Sequence, residues 1–165
     1  MSVLATAPPV FAVVHSAADA PMHQDMVRLF DYWRAIAPAG RLPGRCHFDP
    51  LAIPDLLPRI WLLDVQHEPF RLRYRLCGTA LVESMGLDPT GRWLDEVHDG
   101  ARDPRYFDRY RHMVNGGVAT WRRGRANFRH DKDWIVLENL MVPLAADGST
   151  VDLLVALTRR HDPTE

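Results

Sequence analysis

The sequence has only two cysteines and a single lysine among its 165 residues, and what it has little of limits the classes of protein to which it can belong. Cys46 and Cys77 stand far from any Cys-x-x-Cys spacing, so neither a redox dithiol nor a disulfide framework is indicated. No apolar run approaches the ~18 residues that a membrane-spanning helix needs. The 20 basic and 21 acidic residues nearly cancel, so no global attraction to nucleic acid or anionic lipid is expected.

No secretory signal is expected either. Such a signal places basic residues before a continuous apolar stretch, whereas here Arg28 is the first arginine or lysine and Pro8-Pro9 interrupt the early apolar run. We therefore expect a cytoplasmic protein with reduced thiols and no membrane contact. Residues 1–20 are predicted to form a loosely ordered N-terminal arm.

What remains is an ordinary globular composition, with 47 % apolar residues. A stripe at three- and four-residue steps predicts a helix over residues 22–37, and it consists of Met26, Leu29, Phe30, Trp33 and Ile36. Shorter helices are predicted over 79–85, with Thr79 as N-cap, and over 93–97. A longer helix is predicted over 103–115, with Asp103 as its cap.

Five strands are predicted from period-two patterns, over residues 60–66, 70–77, 119–128, 134–144 and 150–158. The last two are apolar on both faces, which is typical of strands in the middle of a covered sheet. We expect the short helices to cover one face and the first helix to cover the other. The fold class is therefore α+β, with a five-stranded antiparallel sheet.

This order of elements resembles the PAS domain, and more closely a subfamily of short, mostly stand-alone alphaproteobacterial PAS proteins. The matching segments are Tyr32-Trp33, Leu42–Arg45, Phe48–Pro50, Ile53–Pro58, Phe70–Thr79 and Asp88–Arg92. The resemblance implies an N-terminal helical cap and loop over residues 21–58, a PAS core over 59–160 and a short tail over 161–165. It also implies a role in sensing or protein–protein signalling, without supplying a reaction.

The cofactor chemistry of some PAS domains has only weak signals here. The photoreceptor motif Asn-Cys-Arg-Phe-Leu-Gln is missing from the helix over 79–85, so a flavin adduct is not expected. Haem-binding members often use a histidine on the long helix, which makes His112 the residue to test. The sequence identifies no cofactor.

No catalytic or metal-binding constellation is recognisable. The eight histidines show no His-x-x-x-His or His-Glu-x-x-His spacing, and His47 with Asp49 is too little for a metal site. The serines lack a nucleophile-elbow context. We expect a protein that is not an enzyme.

Arginines cluster on two predicted strands, as Arg71, Arg73 and Arg75 on one and as Arg122, Arg123 and Arg125 on the other. Paired guanidinium groups suit a carboxylate or phosphate partner. The alternative is a solvated strand face that is paired with nearby acids.

A cavity beneath the sheet is expected from the resemblance, with aromatic and methionine walls that suit a small, mostly apolar ligand. The expected lining residues are Tyr74, Met85, Trp93, Tyr106, Tyr110, Met113, Phe128, Asn139 and Met141. The same residues would equally serve as a filled core. The sequence therefore predicts a ligand-binding sensor, with a ligand-free interaction module and a haem-type redox sensor as alternatives.

The stripe of Met26, Leu29, Phe30 and Trp33 allows two interpretations. The helix packs on its own sheet as a cap, or it packs against its twin in a homodimer. We expect a homodimer, together with an unidentified signalling protein as partner.

Overall fold

A computed structural model of the chain describes residues 10–125 and 135–161. These residues form six strands and four α-helices, with several short 3₁₀ turns between them. The strands are β1 (Val10–Val14), β2 (Ile60–Gln66), β3 (Arg71–Cys77), β4 (Ala119–Arg125), β5 (Val136–Leu144) and β6 (Leu153–Arg160). The helices are α1 (Gln24–Ala35), α2 (Thr79–Met85), α3 (Leu94–Val97) and α4 (Asp108–Gly116).

The strands form one antiparallel sheet in the order β1-β4-β5-β6-β2-β3. The α+β class with short helices and an antiparallel sheet is confirmed, but the predicted number of five strands is wrong. The additional strand is β1, which lies within residues 1–20, the segment that is predicted to form a loosely ordered arm. Val14 of β1 pairs with Ala119 of β4, and Phe11 pairs with Arg122, so β1 supplies the partner that the edge of β4 would otherwise lack.

One face of the sheet is covered by α1. Met26, Leu29 and Phe30 are fully buried there and pack with alternate residues of β5 and β6, such as Leu140 and Val155. Side chains on the same face of a strand recur every second residue, which is why one parity of β5 meets α1 and the other parity faces away.

Glu138 lies on this covered face as a carboxylate with no exposed surface. Its Oε1 accepts hydrogen bonds from the backbone N–H of His23 (2.8 Å) and from Trp121 Nε1 (2.9 Å). Arg159 Nη1 lies 3.8 Å from its other oxygen, which compensates part of the buried charge. Since His23 is the N-cap of α1, this carboxylate connects the start of that helix to β5.

The opposite face is covered by α3, α4 and the connections around them. Leu63 and Leu72 of the first hairpin pack there with Leu94 of α3 and with Tyr110 and Met113 of α4. The apolar residues on both parities of β5 and β6 therefore serve two separate cores, one on each side of the sheet.

Several predicted boundaries are corrected by local geometry. Gly78, not Thr79, is the N-cap of α2, and it lies so close to the carbonyl of Pro58 that a Cβ would collide with it. The helix predicted over 103–115 begins as a 3₁₀ turn over Pro104–Phe107, where the Asp103 carboxylate accepts from the N–H of Arg105 (2.9 Å). The C-terminal end of the strand predicted over 119–128 and the N-terminal end of the strand predicted over 134–144 lie outside the described residues.

None of the helices in residues 10–125 and 135–161 is long and apolar enough to span a membrane. The division into a cap and loop over residues 21–58, a core over 59–160 and a tail over 161–165 stays a prediction. The predicted arm over residues 1–20 is corrected, because part of it forms β1.

Candidate functional site

A half-open cavity of about 470 Å³ lies between the sheet and the helices α2 and α4. This volume is within the range of small-molecule sites. The sheet contributes residues such as Trp61, Leu137 and Met141, and α2 contributes Ala80 and Leu81. The cavity lies beneath the sheet, where the resemblance leads us to expect one.

Six of the nine predicted lining residues line this cavity, namely Tyr74, Met85, Tyr106, Tyr110, Asn139 and Met141. Met113 is fully buried in the core behind it, where its sulfur accepts from the Thr120 hydroxyl (3.6 Å). Trp93 lies elsewhere, with the Arg71 guanidinium 4.2 Å above its ring. Phe128 falls outside the described residues.

A buried tyrosine–histidine pair forms one side of the cavity. Tyr74 Oη lies 2.6 Å from His98 Nε2, and His98 is only 7 % exposed. Burial lowers the pKa of His98 to about 4, so the ring is neutral at pH 7. Burial also raises the pKa of Tyr74, which keeps its hydroxyl protonated. His98 was not among the predicted lining residues because it follows α3 in a connection without periodicity.

Aromatic rings from α4 and the turn before it continue this side. The Tyr106 ring stacks against His98, with ring centroids 6.4 Å apart, and it also contacts Tyr110 (5.9 Å). Burial raises the pKa of Tyr106 as well, and therefore this tyrosine also stays protonated. The aromatic faces offer a large, rigid contact area for an apolar molecule.

The sheet side of the cavity carries a small polar group. Thr158 Oγ1 accepts hydrogen bonds from Trp61 Nε1 (2.9 Å) and from Asn139 Nδ2 (2.8 Å). Asn139 and Thr158 face each other across β5 and β6, which explains why these two polar side chains come together. A few placed polar groups in an apolar wall are typical of ligand sites.

The two arginine clusters have different environments. On β3, Arg71 binds Asp95 (2.9 Å) and Arg75 binds Asp64 (3.2 Å), as expected of a strand face that is paired with nearby acids. On β4 the cluster divides, because neighbouring residues of a strand point to opposite faces. Arg123 lies near Glu138 (4.0 Å) on the face covered by α1, whereas Arg122 lines the cavity.

A wider depression of about 720 Å³ lies beside the end of α1. Much of its wall is loop, including the glycine- and proline-containing segment over residues 37–43, and its aromatic residues, Phe30 and Trp33, both come from α1 rather than from several elements. The smaller cavity is therefore the candidate site.

Residues 22–158 match the family model described as PAS domain, which is most of the chain. The chain belongs to the PAS domain family. Membership supports a sensory or signalling role in general terms, since domains of this family are mostly non-enzymatic sensor modules.

Among solved structures, this PAS domain is similar to an RNA-binding light-oxygen-voltage receptor, with 20 % identity and a TM-score of 0.48. The match covers 75 % of this chain and 37 % of the receptor, so the chain spans little more than a third of that protein. No curated protein matches the sequence.

Two side chains of this PAS domain bear on the cofactor alternatives. Cys77 lines the cavity, but burial raises the pKa of its thiol to about 11, so it is protonated and weakly nucleophilic at pH 7. His112 is exposed on α4 and does not line the cavity, so it is misplaced for an axial haem ligand there. In the described part of this PAS domain, no three histidine, cysteine, aspartate or glutamate side chains cluster as a metal site.

Proposed function

We propose that this PAS domain is a sensory module that binds a small, mostly apolar molecule in the cavity beneath its sheet. The observation that carries the proposal is the cavity of about 470 Å³ with an aromatic side formed by Tyr74, Tyr106 and Tyr110. A filled core would leave no such space, because protein interiors are normally packed to the density of organic crystals. The proposal includes no chemical reaction.

The signal would pass through the sheet to α1 and from there to a partner protein. Asn139 and Met141 of β5 face the cavity, while Glu138 and Leu140, which alternate with them along the strand, face α1. A ligand that shifts β5 would therefore act on the Glu138 contact at the start of α1. In thermodynamic terms, the ligand would favour the packing of sheet and helix that it binds more tightly.

A ligand-free interaction module is the second candidate, and it is favoured by the exposed edge of β1. Val10 and Phe11 are 49 % and 45 % exposed, on a strand whose one partner among the described strands is β4. Such an edge is able to add a strand from another chain. A homodimer stays part of the proposal, but the α1 stripe is already covered by the chain's own sheet.

The first test is native mass spectrometry on freshly purified protein, with the same sample also measured under denaturing conditions. Extra mass that disappears on denaturation would support a bound ligand and allow its identification. A clean apo mass in several preparations, together with no binding of the neutral dye Nile red, would favour the interaction module instead.

A cavity-filling variant tests whether binding occurs at this site. Ala80 of α2 lines the cavity, so Ala80→Trp should fill it and weaken Nile red binding by about tenfold or more, roughly 1.4 kcal/mol. Glu83→Trp places the same side chain at an exposed position of α2 outside the cavity wall, and it should bind like the wild type. Equal affinities for the two variants would locate the dye elsewhere and contradict the proposal.

A further inference from the structure

The sheet side of the cavity holds two polar side chains that are almost fully buried. Asn139 of β5 and Thr158 of β6 lie directly opposite each other in the antiparallel pairing, and they are 9 % and 8 % exposed. Both residues line the cavity. A buried polar atom without a hydrogen bond costs free energy, so the atoms of this pair that the protein leaves without a partner indicate what a ligand has to supply.

The amide nitrogen of Asn139 is fully used by the protein. Its two hydrogens are donated to Thr158 Oγ1 (2.8 Å) and to the Leu157 carbonyl (3.4 Å). A carbonyl oxygen only accepts, so the contact with Leu157 fixes which end of the amide is the nitrogen. The amide oxygen Oδ1 receives no hydrogen bond from the described residues and is not fully enclosed. It is therefore an acceptor that a molecule in the cavity is able to reach.

The Thr158 hydroxyl is available in the complementary sense. Its oxygen accepts from Trp61 Nε1 (2.9 Å) as well as from Asn139 Nδ2, and these two bonds occupy both of its lone pairs. The hydroxyl hydrogen has no acceptor in the part of the chain that the structure describes. The pair therefore presents one donor and one acceptor side by side, and the Trp61 indole holds the donor in place.

The polar groups on the aromatic side of the cavity differ, because they bond to one another. Tyr74 Oη lies 2.6 Å from His98 Nε2, and Tyr110 Oη accepts from Arg109 Nη2 (3.1 Å). This side of the cavity therefore suits the apolar body of a ligand, whereas the sheet side suits its polar edge.

We infer that the ligand presents an uncharged amide edge, a primary carboxamide or a lactam ring, to Asn139 and Thr158. This inference rests on the proposed function and narrows it to a ligand class. The ligand carbonyl accepts from the Thr158 hydroxyl, and the ligand N–H donates to Asn139 Oδ1. A trans secondary amide directs its N–H and C=O to opposite sides, whereas a primary amide or a lactam carries both on one edge. A carboxylate has no hydrogen to donate, so it leaves Asn139 Oδ1 without a partner.

The test compares pairs of compounds that differ in the N–H group, as competitors of Nile red. The lactam 2-quinolinone is paired with the lactone coumarin, and 2-naphthamide is paired with methyl 2-naphthoate. The wild-type protein should bind the compound with the N–H about tenfold or more tightly in at least one pair, because the partner compound places an oxygen against Asn139 Oδ1.

Two cavity variants and one matched control assign the preference to these residues. In Asn139→Leu, which removes the acceptor, the preference for the N–H compound should fall to near unity. In Thr158→Val, which removes the donor, lactam and lactone should both bind more weakly, while naphthalene, which has no carbonyl, should keep its affinity. Asn115→Leu makes the same chemical change as the first variant at an exposed position of α4 outside the cavity wall, and it should retain the preference.

The remaining outcomes separate the inference from the proposed function. Equal binding within both pairs would overturn the inference, while the cavity would remain a ligand site. A preference that survives in Asn139→Leu would overturn the assignment to this side chain. If 2-naphthol binds as tightly as 2-quinolinone, a single hydroxyl is sufficient and the amide edge is wrong. No binding of dye or of any competitor would count against both the inference and the proposed function.

Discussion

At the scale of single residues, His98 makes the stability of this PAS domain depend on pH. Its pKa is about 4 in the folded protein because burial disfavours the charged ring, against an ordinary value of 6.5. The unfolded chain therefore takes up a proton first as the pH falls. The stabilisation is fully present above about pH 6.5 and is lost as the pH falls towards 4.

We predict that the free energy of unfolding falls by about 2 kcal/mol more in the wild type than in His98→Gln between pH 7.5 and pH 5, from the slope of ~1.4 kcal/mol per pH unit. Glutamine is able to hydrogen-bond Tyr74 but does not titrate. Urea unfolding of both proteins at the two pH values measures the difference, and the carboxylates contribute equally to both. The same loss in both proteins would show that His98 is accessible to protons when folded.

At the scale of elements, α1 packs as a cap on the sheet of its own chain. Its apolar stripe is therefore part of the core of that chain. Leu29 has no exposed surface, and it packs in the core that α1 shares with β5 and β6. Trp33 Nε1 donates to the Pro143 carbonyl (2.8 Å), which anchors the second half of the helix to the same sheet. The stripe therefore contributes to the stability of one chain.

We predict that Leu29→Ala lowers the free energy of unfolding by about 2–5 kcal/mol, as truncation of a fully buried leucine does. Asp31→Ala, at an exposed position of the same helix, should change it by less than about 0.5 kcal/mol. Sedimentation velocity should give the same oligomeric state for both variants. A dimer that dissociates in Leu29→Ala while the unfolding free energy is unchanged would show that this stripe lies at a dimer interface.

The sequence predicts most elements because their side chains repeat with the period of a helix or a strand. The stripe of α1 and the alternation of β3 are clear, and both match the structure to within one or two residues at most ends. β1 could not be found in this way, because an isolated run of five residues after two prolines carries no periodic signal. It becomes a strand only because β4 offers it an edge.

The site was less predictable than the fold, for a physical reason. Tyr74, Asn139 and Met141 follow from strand parity, so they could be placed on the inner face. His98 lies in a connection and Arg109 on a short helix, and both line the cavity. The directions of these segments depend on tertiary packing, so the sequence pattern does not place the two side chains. Strand parity alone predicts that Arg122 and Arg123 point to opposite faces of β4. It does not predict which of the two faces the cavity.

At the scale of the whole molecule, the two cores and the sheet between them form a path from the cavity to α1. The path is short because β5 contributes to both faces, through Asn139 on one side and Glu138 on the other. The backbone N–H of His23 donates to Glu138 at the start of α1, whose first turn also holds the ion pair between Asp25 and Arg59. Arg59 itself lines the cavity, which gives the cavity a second connection to the same helix end.

We predict that occupation of the cavity by Nile red changes amide hydrogen exchange in the first turn of α1, although no α1 side chain lines the cavity wall as described. The change should be reduced in Glu138→Gln, since a neutral amide weakens the link to the helix, the Trp121 indole and Arg159. Glu83→Gln, an exposed change on α2, serves as the control. Mass spectrometry of exchange with and without dye measures the effect. Altered exchange in α2 and α4 with none in α1 would show that the sheet does not transmit binding to the cap, and the signalling surface would then have to lie on the helices around the cavity.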